Sequence, residues 1–228
     1  MKLSLGVRSL CAAVVFTTAL HAEAVTISAT DRGWYDSAGS HDATNNNYIV
    51  GPDGVIEHHN FFVFDLSAVS GTITGAMLRL ANPINGYQSG DATETYEVHQ
   101  VVTSAATLIA GGTSLTIYTD LGDGTVYGSV VASAADDGMD IFVALNAAAI
   151  ADIQAALGGF FSTGGTLPSA SGRIEFLFGF SGVVGARGPY PDTALILTTD
   201  AEAVPEPGTL ALVGLGLAGL VFLRRRRA

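Results

Sequence analysis

Phe61-Phe62-Val63-Phe64-Asp65-Leu66 is the stretch that decides the fold of this 228-residue chain. Three phenylalanines and a valine in one short run are too few residues and too aromatic for an ordinary helix. They suit a central strand that is largely buried. Ser67 to Gly71 then turns the chain, and Ile73 to Leu80 continues as a second strand, with Leu78 and Leu80 on one face and Met77 and Arg79 on the other. Further along, Glu94 to Val102 alternates, Tyr96 and Val98 pointing one way and Glu97 and His99 the other, the pattern of a half-buried strand.

Thr26 to Ala29, Asn47 to Val50, Ser114 to Tyr118, Thr125 to Val131, Met139 to Leu145, Arg173 to Phe180 and Thr193 to Thr198 read as further strands. In the Arg173 segment Ile174, Phe176, Phe178 and Phe180 form an apolar face at period two. Asp31 to Asn46, rich in Gly, Ser, Asp and Asn, reads as a polar connection. One segment has helical spacing: Ala147 to Leu157 is alanine-rich, with Asn146 as a cap and Gly158 as a stop. About nine strands with Gly-rich turns and one short helix predict an all-β fold, a β-sandwich of jelly-roll type.

The two ends differ in kind from this body. Lys2 and Arg8 precede an apolar stretch, Leu10 to Leu20, and Ala22-Glu23-Ala24 offers an A-x-A cleavage site, so residues 1–24 read as a secretory signal peptide with a helical apolar region. Cys11, the only cysteine, is not placed as a lipoprotein cysteine, so the mature body has no thiol and no disulfide. At the other end Pro205-Glu206-Pro207 is followed by the uncharged run Leu210 to Leu223 and by Arg224-Arg225-Arg226-Arg227. About fifteen helical residues rise roughly 22 Å against a hydrocarbon core of roughly 30 Å, a marginal transmembrane helix that needs local thinning or snorkelling arginines. The arginine cluster stays cytoplasmic, which leaves the residues before Pro205 outside the inner membrane. The expected domains are thus 1–24, 25–203 and 204–228.

The whole chain carries a formal charge of -11, but the body keeps only Arg32, Arg79, Arg173 and Arg187 against 19 acidic residues, a net -15. Such acidity excludes nucleic acid, whose phosphates require a basic footprint. It also disfavours anionic lipid and acidic polysaccharide unless divalent cations bridge the surfaces.

Two stretches of the chain resemble known families. The Pro205-Glu206-Pro207 motif, the Gly/Leu/Ala/Val helix and Arg224 to Arg227 together resemble the PEP-CTERM sorting signal of Gram-negative exosortase substrates. That resemblance implies a transient partner, an integral membrane peptidase that cuts near Pro205, and release of the body to the cell surface, outer membrane or extracellular matrix. An ordinary C-terminal membrane anchor is the alternative. In the body, Phe61 to Ser67 followed by Thr72 to Leu80 resembles the strand pair of DNRLRE-type and related carbohydrate-binding-module-like jelly rolls. This supports a fold and not a ligand. Asp65 and Arg79, on strands expected to be adjacent, could pair.

Chemistry is sparse. No Gly-x-Ser-x-Gly elbow, His-Glu-x-x-His or phosphate-cradling loop occurs, and the body has no nucleophilic cysteine, so no catalytic residues are assigned and the chain is not expected to be an enzyme. His58 and His59 are adjacent on a strand and point to opposite faces, so the two rings cannot easily share one metal; they read as a polar strand entry, with a metal or catalytic role as the alternative. Asp120-Leu121-Gly122-Asp123-Gly124 puts two carboxylates in one expected turn, and Asp136-Asp137-Gly138-Met139-Asp140 is similar. Asp120 and Asp123 are the candidates for a structural calcium ion, against a plain reading as turn residues. No other cofactor is implied. Trp34, Tyr35, Tyr48, Tyr87 and Tyr190 lie near expected loops, either stacking on sugar rings or plugging the sandwich ends. The function expected is a structural or adhesive protein of exopolysaccharide or biofilm. A carbohydrate-binding module is the alternative, sensitive to Trp34→Ala, and a secreted glycan hydrolase a third reading.

Overall fold

The computed structural model describes residues 22–181 and 189–200, and Ala22–Asp200 forms one compact unit. Among the described residues there are nine strands: β1 (Ala22–Asp36), β2 (Gly51–Asp53), β3 (Ile56–Asp65), β4 (Thr72–Ala81), β5 (Glu94–Gln100), β6 (Val126–Ala132), β7 (Asp140–Ala144), β8 (Phe160–Thr166) and β9 (Tyr190–Asp200). Three α-helices accompany them, α1 (Ala105–Ala110), α2 (Leu115–Asp123) and α3 (Ala147–Ala155), with a 3₁₀ turn at Ala134–Asp136. None of these helices is long and apolar enough to cross a membrane. The expected signal region of residues 1–21 and the tail elements Pro205, Glu206, Pro207 and Arg224 to Arg227 lie outside the described residues.

Every strand pairing is antiparallel, in the order β6-β5-β8-β3-β1-β9-β4-β7, with β2 also on β3. β1 makes this one sheet into a sandwich. Its first half pairs with β9, from Ala22↔Asp200 to Ala29↔Tyr190, and its second half pairs with β3, from Ala29↔Phe64 to Asp36↔His58. Register shifts at Ser28/Ala29 and Ala29/Asp31 mark where it changes partner. Such irregularities bend a strand and let it serve two layers. The outer edges also approach each other, since Asn146 N donates to Tyr127 O at 2.7 Å.

The Phe61 to Phe64 run lies in the middle of this arrangement, and both of its faces are covered. Phe62 and Phe64 enter the main core with Leu78, Leu80, Tyr96, Val98, Leu195 and Leu197. Phe61 and Val63 point the other way, into a second core with Tyr35, Leu108, Ile117 and Leu121 supplied by β1, α1 and α2. A strand buried on two faces has no reason to alternate. At about 1.5–3 kcal/mol for each large apolar side chain, the run contributes strongly to both cores.

Several expected elements are corrected. Ser114 to Tyr118 is helical: the Ser114 side chain caps α2 by accepting from Ile117 N, and Ile117 and Leu121, four apart, form its buried stripe. Among the described residues there are three α-helices, where one short helix was expected in the body. The Asp31 side of the polar connection is strand as far as Asp36, because β3 offers it partners. β8 has no counterpart in the expected strands. Arg173 to Phe180 makes only isolated bridges at Ile174, Phe176 and Leu177, and its period-two face fails because Phe178 and Phe180 adopt φ of 57° and 61°. Ile174 and Phe180 are exposed, while Phe176 and Phe178 are buried. Asp65 and Arg79 do not pair, since β1 and β9 stand between their strands. Asp65 accepts from Ser67 N, and Arg79 faces Asp140 at 3.9 Å.

Candidate functional site

The helix α3 is fixed at its start by Asn146, whose side chain accepts from Ala148 N and Ala149 N and donates to Val126 O. Ala149 and Ile153 bury its inner face, so Asp152, the only charged residue in the helix, sits beside that face at the mouth of a cavity. The cavity has a volume of about 230 Å³ and lies between α3, the start of β8, the end of β5 and the segment leading into α1.

One Asp152 carboxylate oxygen, Oδ2, accepts from Gln100 Nε2 at 2.9 Å and from the Tyr127 hydroxyl at 2.5 Å. Burial, with that carboxylate beside it, pushes the Tyr127 phenol upward, so the hydroxyl stays protonated and donates. Tyr127 in turn stacks against Phe161 with centroids 6.0 Å apart. Phe160 lines the same cavity and is 51% exposed. Among the described residues no hydrogen bond uses Asp152 Oδ1 or the hydroxyls of Thr103 and Ser162. The site therefore combines an oriented carboxylate, an amide, free hydroxyls and the apolar rings of Phe160 and Phe161.

The wall carrying Thr103 is held from below by α2. Asp120 accepts from Val102 N at 3.2 Å and from Thr103 N at 2.7 Å. The expected calcium pair is thus placed differently from the turn envisaged: Asp120 and Asp123 are both in a helix, and the Asp120 carboxylate braces the neighbouring backbone. Asp136 belongs to a capping box with Ser133, and Asp137 accepts from Asn82 Nδ2 and Tyr87 N. A different trio has atoms close enough to hold a metal: ligand oxygens of Asp91, Glu94 and Glu175 lie within 4.8 Å of one another. Glu94 accepts from the Ser89 and Ser169 hydroxyls, and Glu175 from Ser171 N and Gly172 N. Oxygen ligands of this kind suit a hard cation.

The histidines occupy opposite faces of β3. His58 meets Trp34 edge-on at 4.8 Å, and His59 stacks on Tyr118 at 4.1 Å with Nδ1 on Tyr118 O. Burial lowers the pKa of each. Of the expected loop aromatics, Tyr35, Tyr48, Tyr87 and Tyr190 are buried, and Tyr48 and Tyr190 sandwich the Arg32 guanidinium at 4.6 and 4.4 Å. Such packed rings cannot offer a platform to a sugar; only Trp34 keeps partial exposure. Sequence reasoning missed Asp152, Gln100 and Phe160. The available signal was a single acid in an alanine-rich helix followed by Gly158-Gly159-Phe160-Phe161.

No curated protein matches the chain. Residues 203–227 match the family described as the PEP-CTERM protein-sorting motif. The chain therefore carries, at its C-terminal end, the sorting motif of an exosortase substrate, which implies export and membrane-associated sorting to the cell surface.

Proposed function

We propose that this protein is a non-catalytic structural or adhesive component of the extracellular polysaccharide matrix, delivered as a precursor and cut near Pro205. The observation that carries the reading is the sorting motif at residues 203–227. In this reading the signal peptide starts export, the apolar run Leu210 to Leu223 halts the chain in the inner membrane, and Arg224 to Arg227 hold its end in the cytoplasm. An exosortase then releases the body to the outer surface.

The body fits such a destination. It has no cysteine to depend on redox conditions, and its strongly acidic composition keeps it soluble among cations. We read the sandwich as jelly-roll type, a reading supported by two antiparallel layers joined through the bent β1. Both ends of the body leave from one place, because Ala22 and Asp200 are cross-strand partners. Cleavage after Ala24 would remove the pairings of Ala22, Glu23 and Ala24 with Asp200, Thr199 and Thr198 and leave β1 intact from Val25.

The test replaces Pro205, Glu206 and Pro207 with alanine in the producing cell. The unaltered protein should reach the surface and medium in shortened form, while the variant stays full-length in the inner membrane. Equal release of both would overturn the sorting mechanism.

A further inference from the structure

The cavity beside Asp152 has a chemistry that sorting does not use. Its walls divide by character. Phe160, Ala156 and Val101 supply an apolar side, and Asp152, Gln100 and Ser162 supply a polar one. Phe160 lines the cavity and is half exposed, whereas the neighbouring Phe161 is buried. A ligand that fills both sides needs an apolar face and a hydroxyl-bearing edge at once.

Size narrows the choice. Sites for drug-sized ligands span about 300–1,000 Å³, whereas this cavity offers about 230 Å³, room for one six-membered ring with substituents. Charge narrows it again. Asp152 Oδ2 is taken by Gln100 and Tyr127, which fixes the carboxylate and leaves Oδ1 as an acceptor, and the body's net -15 repels anions. The Thr103 and Ser162 hydroxyls can donate or accept. A sugar hydroxyl meets both demands in one atom, donating to the carboxylate and accepting from the hydroxyls.

We propose that this cavity is a saccharide subsite that takes one neutral hexopyranose unit, with Phe160 against the C–H face of the ring and Asp152, oriented by Gln100 and Tyr127, reading its hydroxyls. The proposal deepens the adhesive reading and rests on it only for the relevance of a polysaccharide. Sugar and protein meet over a small area, so the affinity is about millimolar.

The experiment uses the full chain in a zwitterionic detergent without a sugar headgroup and follows saturation-transfer NMR with methyl glucoside, galactoside and mannoside, with the methyl glycoside of glucuronic acid as the anionic control. The expected result is saturable binding of at least one neutral glycoside, about tenfold or more weaker in Phe160→Ala and in Asp152→Asn, with weaker uptake of the uronate. Phe160 is half exposed and Asp152→Asn is isosteric, so both variants should remain folded, which a melting curve recorded alongside verifies. Absence of binding by any neutral glycoside, undiminished binding in both variants, or a preference for the uronate would overturn the proposal. None of these outcomes bears on release from the membrane, which fractionation reads separately.

Discussion

Gly164→Ala tests how the second core is built. A Cβ placed on Gly164 of β8 would stand 2.2 Å from the Leu121 carbonyl oxygen and 2.7 Å from its C and Cα atoms. These are backbone atoms of α2 and cannot rotate away, so the helix must retreat by roughly 1 Å to reach ordinary contact distance. That retreat loosens Ile117 and Leu121 against Tyr35, Phe61 and Val63. Overpacking of this kind costs about 1–3 kcal/mol, offset by the about 0.4–1 kcal/mol that alanine gains over glycine through the unfolded chain. The net loss at mid-range is about 1.3 kcal/mol, which lowers Tm by about 3–5 °C at this chain length. The control is Gly90→Ala, where a Cβ would meet nothing within 4 Å. Thermal melts of both variants and the parent, followed by circular dichroism, decide the matter. Equal stability of Gly164→Ala and Gly90→Ala would refute the seating of α2 on β8.

Two further substitutions probe electrostatics. Burial raises the Asp31 pKa from 3.8 to about 6, so the folded state holds a proton that the unfolded chain releases, and the residue's stabilising contribution is lost as pH rises from about 4 to about 6. Asp31→Asn should therefore gain stability relative to the parent across that window and keep the gain above pH about 6; a Tm difference that does not change with pH contradicts this. Asp120→Ala removes the acceptor for Val102 N and Thr103 N and should cost about 1–2 kcal/mol in urea unfolding. The loss should be the same with calcium or with a chelator, and a calcium-dependent difference would return Asp120 to a cation site.

How far the sequence could be read depended on whether a segment's burial came from its own sheet or from a distant element. Phe61 to Phe64 was legible because four consecutive large apolar residues demand two covered faces, and the structure supplies both. Leu78 and Leu80 were legible because one face of β4 meets the core and the other meets solvent. The segment at Ser114 was not, since its helical stripe of Ile117 and Leu121 is short and its register is imposed by Gly164 and by Gly122, whose Cβ would collide with His59 and Thr166. β8 was hidden for a related reason: Gly164 and Gly165 lower its strand propensity, yet they are required where α2 and the Tyr96–Asn60 pair approach its two faces. The aromatics were read from their places near expected loops, which cannot tell that Tyr48 and Tyr190 enclose Arg32. The Asp152 cavity joins residues 100, 103, 127, 152, 160 and 162, a juxtaposition made by tertiary packing and invisible to local pattern.

The sorting motif needed no tertiary information, because its three parts are consecutive in the chain. The central claim is that the motif is cut and the body released. Intact mass spectrometry of the protein recovered from the surface, medium and inner-membrane fractions of the producing cell tests it most directly. The account predicts a species in the surface or medium fraction that begins near Val25 and ends near Pro205, and any extra mass at the new C-terminus would identify an attached anchor. A chain that retains Leu210 to Arg227 in the inner membrane, with no shortened form in any fraction, would contradict it.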